Sequence, residues 1–306
     1  MGLDPIDPID PIDTIDTIDD VARHRWAWAD VDAEALRHNV ASVVRTVAPA
    51  EVRAVVKADG YGHGAITTAR AALDGGATGL CVALVQEGVE LRSAGIDAPT
   101  LVLTEQPPDQ LTTLVVAGLE ATAYRFEYVR ALAAAASSAG TVVPVHVKVD
   151  TGMQRVGADP TDLAGLVDAV RSSPSLDLGG VFTHLAVADE PDHGATAYQL
   201  ERFDRAIDSI AGVAAVPAIH AANSAGALAV PAARFSFVRL GIAMYGISPG
   251  PEVDHLVADL RPALSLKARV AYVKRVEAGT HVSYGWRHRF DRDTTVATVP
   301  IGYADG

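Results

Sequence analysis

Residues 51–74 read EVRAVVKADGYGHGAITTARAALD and combine a short apolar run, a glycine-rich loop and a longer helical stretch. The run at 52–56 is rich in β-branched residues, which favour strands. The helical stretch ends at Gly75-Gly76, and glycine commonly follows the last turn of a helix. The segment therefore predicts one strand–loop–helix unit of a parallel sheet.

The same unit recurs along most of the chain. The apolar runs lie at 52–56, 80–85, 100–103, 142–149, 178–182 and 235–240, with weaker ones at 119–123 and 218–220. Helical stretches separate them, as in 198–210, where apolar residues lie three and four apart. About eight such units predict an α/β fold, a (β/α)8 TIM-type barrel, because barrels of this type contain about 250 residues. An open doubly wound sheet is the alternative, but it would need fewer strands.

The pattern changes at both ends of the chain. Residues 1–20 repeat Asp-Pro-Ile and then Asp-Thr-Ile, a three-residue period that cannot form an amphipathic helix. We therefore predict a disordered acidic tail over 1–22 and a barrel over 23–248. From 249 to 306 the alternation of polar and apolar residues, clearest at Leu264–Val273 and Val296–Ile301, predicts the beginning of a smaller, mostly β C-terminal domain. A sheet that stops at Gly306 would keep an open edge, so we expect the sequence to be truncated there.

Composition excludes several classes of function. The formal net charge of −13 argues against a nucleic-acid-binding protein, which needs a basic surface. Cys81 is the single cysteine and lies in an apolar run, so we expect a buried, inert thiol, no disulfide and no metal site. Neither a signal peptide nor an apolar stretch of roughly 20 residues is evident, which favours a cytoplasmic protein without a membrane partner.

Ionisable side chains lie at or beyond the ends of several predicted barrel strands. They are Lys57, Lys148, Arg155, His184, His220 and Arg239. The C-terminal ends of the strands carry the active site in barrels of this type. Because burying such groups in apolar runs is unfavourable unless they are paired or used, together they predict an active site.

Lys57 is the most informative single residue. It follows the apolar run 52–56, so we expect a partly desolvated amine with a lowered pKa, able to form a Schiff base. The alternative is a lysine whose stem is buried while its ammonium group reaches solvent.

A phosphate site is predicted after the seventh and eighth strands, where barrels commonly bind phosphate. Ser224 and the backbone amides of Gly241 and Ile242 lie there. The loop 60–64 lacks the spacing of a nucleotide-binding motif, so an ordinary glycine-rich turn is its alternative reading. A phosphate at this position and an aldehyde near Lys57 would describe pyridoxal 5′-phosphate (PLP).

Several ordered blocks resemble the alanine racemases, a family of PLP-dependent enzymes of fold-type III. The blocks are AVVKADGYGHG at 54–64, KVDTGMQRVG at 148–157, Thr183-His184, HAANS at 220–224, RLGIAMYG at 239–246, VSYG at 282–285 and PIGYADG at 300–306. The resemblance covers the chain from about Arg25 to its end.

The resemblance implies a racemase that interconverts L- and D-alanine with PLP and two bases, and so supplies D-alanine for peptidoglycan. Lys57 would bind the cofactor and act on one face of the substrate. Tyr284, contributed by the second subunit of a homodimer, would act on the opposite face, as racemisation requires.

The resemblance also implies roles for the other candidate residues. Arg239 would hydrogen-bond the pyridine nitrogen, which an arginine would leave unprotonated. His184 would lie against the cofactor ring, and Arg155 would bind the substrate carboxylate. Tyr61, Ser224 and the amides of Gly241 and Ile242 would hold the phosphate, His220 and Asn223 would support these groups from behind, and Lys148 matches a lysine that some members carbamylate.

Other functions remain open at this point. A PLP-binding homeostasis protein would resemble the barrel alone, and the strands after Pro249 argue against it. An amino-acid racemase of broader specificity is the second alternative. A decarboxylase of the same barrel type would show a cysteine-bearing C-terminal motif, which this sequence lacks. A non-catalytic interaction protein that acts through its acidic tail would fail to bind PLP.

Overall fold

The computed structural model describes residues 26–211 and 215–305. The predicted tail over 1–22 lies outside the described residues. The described chain forms two compact units. The larger unit is Val31–Leu264, and the smaller one combines the described residues up to Asp30 with those from Ser265 onward.

The strands and helices are short and follow one another closely. In chain order the strands are β1 (Ala27–Val31), β2 (Glu51–Val55), β3 (Gly79–Val82), β4 (Thr100–Val102), β5 (Ala121–Ala123), β6 (Val143–Lys148), β7 (Leu176–Phe182), β8 (Ile219–His220), β9 (Phe237–Leu240), β10 (Leu264–Ala268), β11 (Tyr272–Val276), β12 (His281–Val282), β13 (His288–Arg289) and β14 (Thr294–Thr298). The α-helices are α1 (Ala33–Val47), α2 (Ala65–Asp74), α3 (Val85–Ser93), α4 (Leu111–Val116), α5 (Phe126–Ser138), α6 (Leu163–Arg171), α7 (Ala195–Asp208) and α8 (Ser224–Ala229).

Strands β2 to β9 form the barrel of the larger unit. Their parallel pairing gives two sheets, in the orders β4-β3-β2-β9 and β5-β6-β7-β8. Backbone hydrogen bonds join the sheets on both sides. The N–H of Val102 donates to the Glu120 carbonyl at 3.0 Å, and the N–H of Ser236 donates to the Ile219 carbonyl at 2.9 Å. The eight strands therefore close into a ring, and the predicted (β/α)8 barrel is confirmed.

Helix α1 illustrates how the helices cover the barrel. The carboxylate of Asp32 accepts a hydrogen bond from the Ala35 N–H at 2.9 Å and so caps the helix N-terminus. Leu36, Val40 and Val43 lie one helical turn apart and are fully buried. One face of the helix therefore packs against the barrel, and Asn39 is also buried there, where its amide donates to the Met244 carbonyl at 2.9 Å.

The smaller unit is mostly β. Strand β1 pairs with β10, β11 pairs antiparallel with β14, and β12 pairs antiparallel with β13. The sequence pattern predicted one strand over Leu264–Val273, but the structure contains two. The N–H of Arg269 donates to Trp26 and that of Ala271 donates to Thr298, so the chain changes partner between them. The later predicted strand, Val296–Ile301, instead lies at Thr294–Thr298.

Across residues 26–211 and 215–305, none of the helices has the length and apolar character that a membrane span requires.

Candidate active site

A cavity of about 470 Å³ opens at the C-terminal edge of the barrel strands. Ten of the predicted site residues line it: Lys57, Tyr61, Lys148, Arg155, His184, Asn223, Ser224, Arg239, Gly241 and Ile242. His220 is fully buried behind Arg239. The larger unit thus brings together eleven of the twelve candidate residues, although many of them are far apart in the sequence.

The cavity is strongly cationic. Lys57, Lys148, Arg155 and Arg239 line it, and Asp189 is the single carboxylate among the described lining residues. Lys148 is 5% exposed, and its burial and the positive charges of Arg239 and Arg155 lower its pKa to about 8. Such a surface favours an anionic ligand.

Lys57 begins a left-handed helical turn, Lys57–Gly62, that the sequence did not reveal. Ala58, Asp59 and Tyr61 all have φ between 52° and 54°, a conformation that costs an L-residue roughly 1–2 kcal/mol. The carboxylate of Glu87 accepts the Ala58 N–H at 2.6 Å, and that of Asp59 accepts an N–H of helix α2 at 2.7 Å. Surrounding contacts therefore hold the turn, as is common where backbone strain occurs at a functional site.

The turn places Tyr61 beside the ends of β2 and β9. The ring of Tyr61 lies 4.9 Å from that of Tyr245, whose hydroxyl donates to the Val55 carbonyl at 3.0 Å. A Cβ added to Gly241 would lie 3.0 Å from the Tyr61 hydroxyl oxygen. Any other residue at position 241 would require the Tyr61 hydroxyl to shift.

Ser224 is the first residue of helix α8 and lies close to Gly241. Its Oγ accepts the N–H groups of Gly241 at 2.9 Å and Ala243 at 3.3 Å. Asn223 caps the helix, because its side-chain oxygen accepts the Gly226 N–H at 2.9 Å. Hydroxyl and amide groups therefore cluster on this side of the cavity, and they are the groups that bind phosphate oxygens.

Arg239 lies in strand β9 and is 3% exposed. Its Nη2 donates to the carbonyls of Thr183 and Ala221, both at 2.8 Å, and lies 3.2 Å from His184 Nδ1. Its Nη1 lies 2.7 Å from His220 Nδ1. Burial lowers the pKa of Arg239 to about 10, so the guanidinium is charged at neutral pH and donates only.

The histidines near Arg239 are neutral at pH 7. Burial, followed by the charge of Arg239, lowers the pKa of both His184 and His220 well below the usual range. The His220 ring is stacked between Phe182 and Phe237, with centroid distances of 4.5 and 4.1 Å. Phe182 also lines the cavity and was missed because it reads as an ordinary apolar strand residue.

Arg155 reaches the cavity from the loop after β6. Asp150 organises this loop, because its Oδ1 accepts the N–H groups of Gly152 at 2.9 Å and Gln154 at 3.1 Å. Gln154 has a φ of 54°, and Arg155 follows it with an exposed side chain that lines the cavity. The guanidinium is thus available to a ligand carboxylate.

Two further predicted residues are not among those that line the cavity. Tyr284 belongs to the smaller unit, where it begins the turn Tyr284–Trp286 with its side chain 96% exposed. Its catalytic role therefore stays a prediction. Cys81 is fully buried, and burial raises the pKa of its thiol to about 11, as an inert thiol requires.

An α/β barrel with a lysine after its first barrel strand and a cationic cavity at the strand ends is typical of the barrel class of PLP enzymes. Family models agree: "Alanine racemase, N-terminal domain" matches residues 31–249, and "Alanine racemase, C-terminal domain" matches residues 263–306. The chain belongs to the alanine racemase family, whose members are PLP-dependent isomerases.

Individual proteins show the same relationship. Alanine racemase of Thermobifida fusca is 44% identical over 285 residues, which are 92% of this chain and 76% of that protein. The crystal structure of alanine racemase from Bacillus anthracis with bound L-Ala-P superposes with a TM-score of 0.83 at 35% identity, covering 92% of this chain and 74% of that one. Histidine racemase from Leuconostoc mesenteroides superposes with a TM-score of 0.85 at 29% identity, covering 92% and 76%.

Proposed function

We propose that this protein interconverts L- and D-alanine, with PLP bound in the barrel cavity and with Lys57 and Tyr284 as the two bases. The observation that carries the proposal is the convergence of Lys57, Arg239 and Ser224 on one cavity. In a cell, this activity would supply D-alanine for peptidoglycan synthesis.

The cavity residues fit PLP. Tyr61, Ser224 and the backbone amides of Gly241 and Ile242 would hold the phosphate, and the space beside the Tyr61 hydroxyl exists because position 241 carries no Cβ. Lys57 is half-buried and would bind the cofactor's aldehyde carbon. When bound, PLP supplies the electron withdrawal that weakens the Cα–H bond of an amino acid.

Arg239 would donate a hydrogen bond to the pyridine nitrogen. With a pKa of about 10 it keeps its proton at neutral pH, so the nitrogen would stay unprotonated. An arginine at this position, in place of a carboxylate, would therefore favour rapid return of the proton to the substrate over side reactions.

Racemisation requires a proton to leave one face of Cα and to return on the other. Lys57 would serve the face on its side of the cavity, and Tyr284 of a partner subunit would serve the opposite face. Arg155 would bind the substrate carboxylate through two parallel hydrogen bonds. A homodimer with shared active sites is therefore part of the proposal.

Lys148 would carry a carbamate formed with CO₂. A pKa of about 8 leaves part of its amine neutral near physiological pH, and the neutral amine is the form that reacts. The carbamate would place a negative charge between Arg155 and Arg239, whose positive charges both lower the Lys148 pKa.

We further propose that residues 23–248 form the PLP domain, that 249–306 belong to a smaller β-domain, and that the protein is cytoplasmic.

A racemase of broader specificity is the second candidate, because a histidine racemase shares the fold at 29% identity. Both candidates are tested by incubating the protein and PLP with single L-amino acids, alanine and histidine included, and separating the products on a chiral column. We expect D-alanine to form fastest and Lys57→Ala to form none. Faster turnover of another amino acid would contradict alanine specificity, and PLP binding without any D-product would favour a carrier role.

A further inference from the structure

A chain of buried polar side chains continues from Arg239 into the barrel interior, away from the cavity. His220 Nε2 lies 3.0 Å from His146 Nδ1, and His146 Nε2 lies 3.3 Å from a carboxylate oxygen of Glu120. Arg53 forms an ion pair with the same carboxylate oxygen of Glu120. Glu120 directly precedes β5, so the chain of contacts begins at the N-terminal side of that strand and ends at the cavity.

The direction of every hydrogen bond in this chain follows from its two ends. Arg239 can only donate, so the Nδ1 of His220 must accept and the neutral ring carries its proton on Nε2. That proton is donated to His146 Nδ1, and so the proton of His146 is also on Nε2. The last donor therefore faces Glu120, which as a carboxylate can only accept.

We propose that Glu120 is a positioning residue for the cavity. It is the last acceptor of a relay of hydrogen bonds that all point the same way, from Arg239 to His220 to His146 to Glu120. The relay holds both imidazoles as Nε2–H tautomers and so fixes the direction of the Arg239 donors. With either tautomer reversed, an imidazole N–H would point at another N–H group. The role toward PLP rests on the proposed function, whereas the relay itself does not.

The packing around the two rings supports a fixed relay. His146 is 1% exposed and lies against two consecutive glycines of β7. A Cβ on Gly179 would lie 2.9 Å from His146 Nε2, and one on Gly180 would lie 2.7 Å from Nδ1. The strand pairing shifts register between Val145 and His146, which accommodates both glycines beside one ring. Together with the stacking of His220 between two phenyl rings, this close packing restricts the rotation of both imidazoles.

The charges agree with the assigned tautomers. Burial lowers the pKa of His146, and burial followed by the charge of Arg239 lowers that of His220, so both rings are neutral at pH 7. Burial raises the pKa of Glu120, but the hydrogen bond from His146 and the charge of Arg53 outweigh this and lower it to about 2. Glu120 is therefore ionised throughout the physiological range.

The relay is tested on the protein without PLP. Long-range ¹H–¹⁵N correlation spectra of histidine-labelled protein show which ring nitrogen carries the proton. We expect both His146 and His220 to be Nε2–H in the unaltered chain, with signals assigned from His146→Gln and His220→Gln. A proton on Nδ1 of either ring would overturn the relay, and this measurement requires no Glu120 variant to fold.

Three variants then test the role of Glu120. Glu120→Gln replaces an obligate acceptor with an amide that can also donate, so we expect a mixture of tautomers and a PLP affinity about five- to tenfold weaker, as for one misaligned hydrogen bond. Arg53→Met removes the ion pair but keeps the Glu120 carboxylate and the hydrogen bond from His146, which also lowers its pKa. At pH 7 and above this variant should therefore lower stability and leave the tautomers and PLP affinity unchanged. Glu120→Asp should restore part of the affinity.

The outcomes separate the two proposals. Unchanged tautomers and unchanged PLP affinity in Glu120→Gln would overturn the role assigned to Glu120. Nε2–H tautomers together with no PLP binding by the unaltered protein would support the relay and contradict the proposed function.

Discussion

Nη1 of Arg239, which lines the cavity, lies 2.7 Å from Nδ1 of His220, which is fully buried behind it. This contact joins the surface that would hold the cofactor to a polar chain inside the barrel. Arg239 has further partners in the carbonyls of Thr183 and Ala221. Several contacts therefore fix the position of its guanidinium group. A group that holds a ligand atom in place needs such support.

Replacing Arg239 tests this arrangement. Arg239→Lys keeps the charge, but its single ammonium group cannot reach the imidazole and both carbonyls, so buried acceptors lose their partners. We expect the free energy of unfolding of the PLP-free protein to fall by about 1–3 kcal/mol. Urea unfolding followed by circular dichroism measures this. Equal midpoints for the variant and the unaltered chain would mean that Arg239 does not organise the site.

The close approach of Tyr61 and Gly241 predicts a defect in cofactor binding. In Gly241→Ala the new Cβ would lie 3.0 Å from the Tyr61 hydroxyl and displace it. We expect PLP affinity, measured by absorbance titration, to fall about tenfold, which corresponds to roughly 1.4 kcal/mol. Gly194→Ala is the matched control, because a Cβ there meets no atom within 4 Å. Similar affinities for the two variants would contradict the phosphate site.

The lowered pKa of Lys148 predicts a pH-dependent stability. The folded state holds this amine at a pKa of about 8, against 10.5 for an unperturbed lysine, so the unfolded state binds more protons between these values. Burying the charged form therefore destabilises the fold by up to about 3 kcal/mol below pH 8, and the effect disappears as the pH rises to about 10.5.

Comparison with Lys148→Met isolates this effect. In CO₂-free buffer and without PLP, the variant should be more stable than the unaltered chain at pH 7, and the difference should narrow between pH 8 and pH 10. Chemical unfolding at each pH provides the measurement. A difference that stays constant across this range would show that Lys148 is not buried as a charge.

Mixed dimers test the origin of the second base. Lys57→Ala and Tyr284→Phe should each be nearly inactive. After the two proteins are unfolded, mixed and refolded, mixed dimers contain one site with both altered residues and one with neither. We therefore expect about a quarter of the unaltered activity per site from random pairing. If mixing restores no activity, Tyr284 does not act in the partner's site.

Much of the barrel could be predicted from the sequence because its signals are local. Strands such as 142–149 are continuous apolar runs, and the ionisable residues at their ends cannot be explained by packing alone. The sequence alone therefore predicts Lys57, Lys148 and Arg239 as site residues. They share one cavity because the C-terminal ends of parallel strands meet at one edge.

What could not be predicted depends on contacts between distant segments. The left-handed turn uses Ala58, Asp59 and Tyr61, none of which is a glycine, and its support from Glu87 comes from another strand–helix unit. His146 was not singled out because a lone histidine in an apolar strand reads as a core residue. Its place in the relay depends on the pairing of β5 with β6, which brings Glu120 beside it.

The exchange of the α-proton of alanine tests the central claim most directly. The protein is incubated with PLP and L-alanine in D₂O, and loss of the α-proton is followed by NMR together with the appearance of D-alanine. We predict that both occur, that the D-alanine carries deuterium at Cα, and that Lys57→Ala shows neither. PLP binding without exchange in the unaltered protein would contradict the assignment of Lys57 as a base that works on alanine.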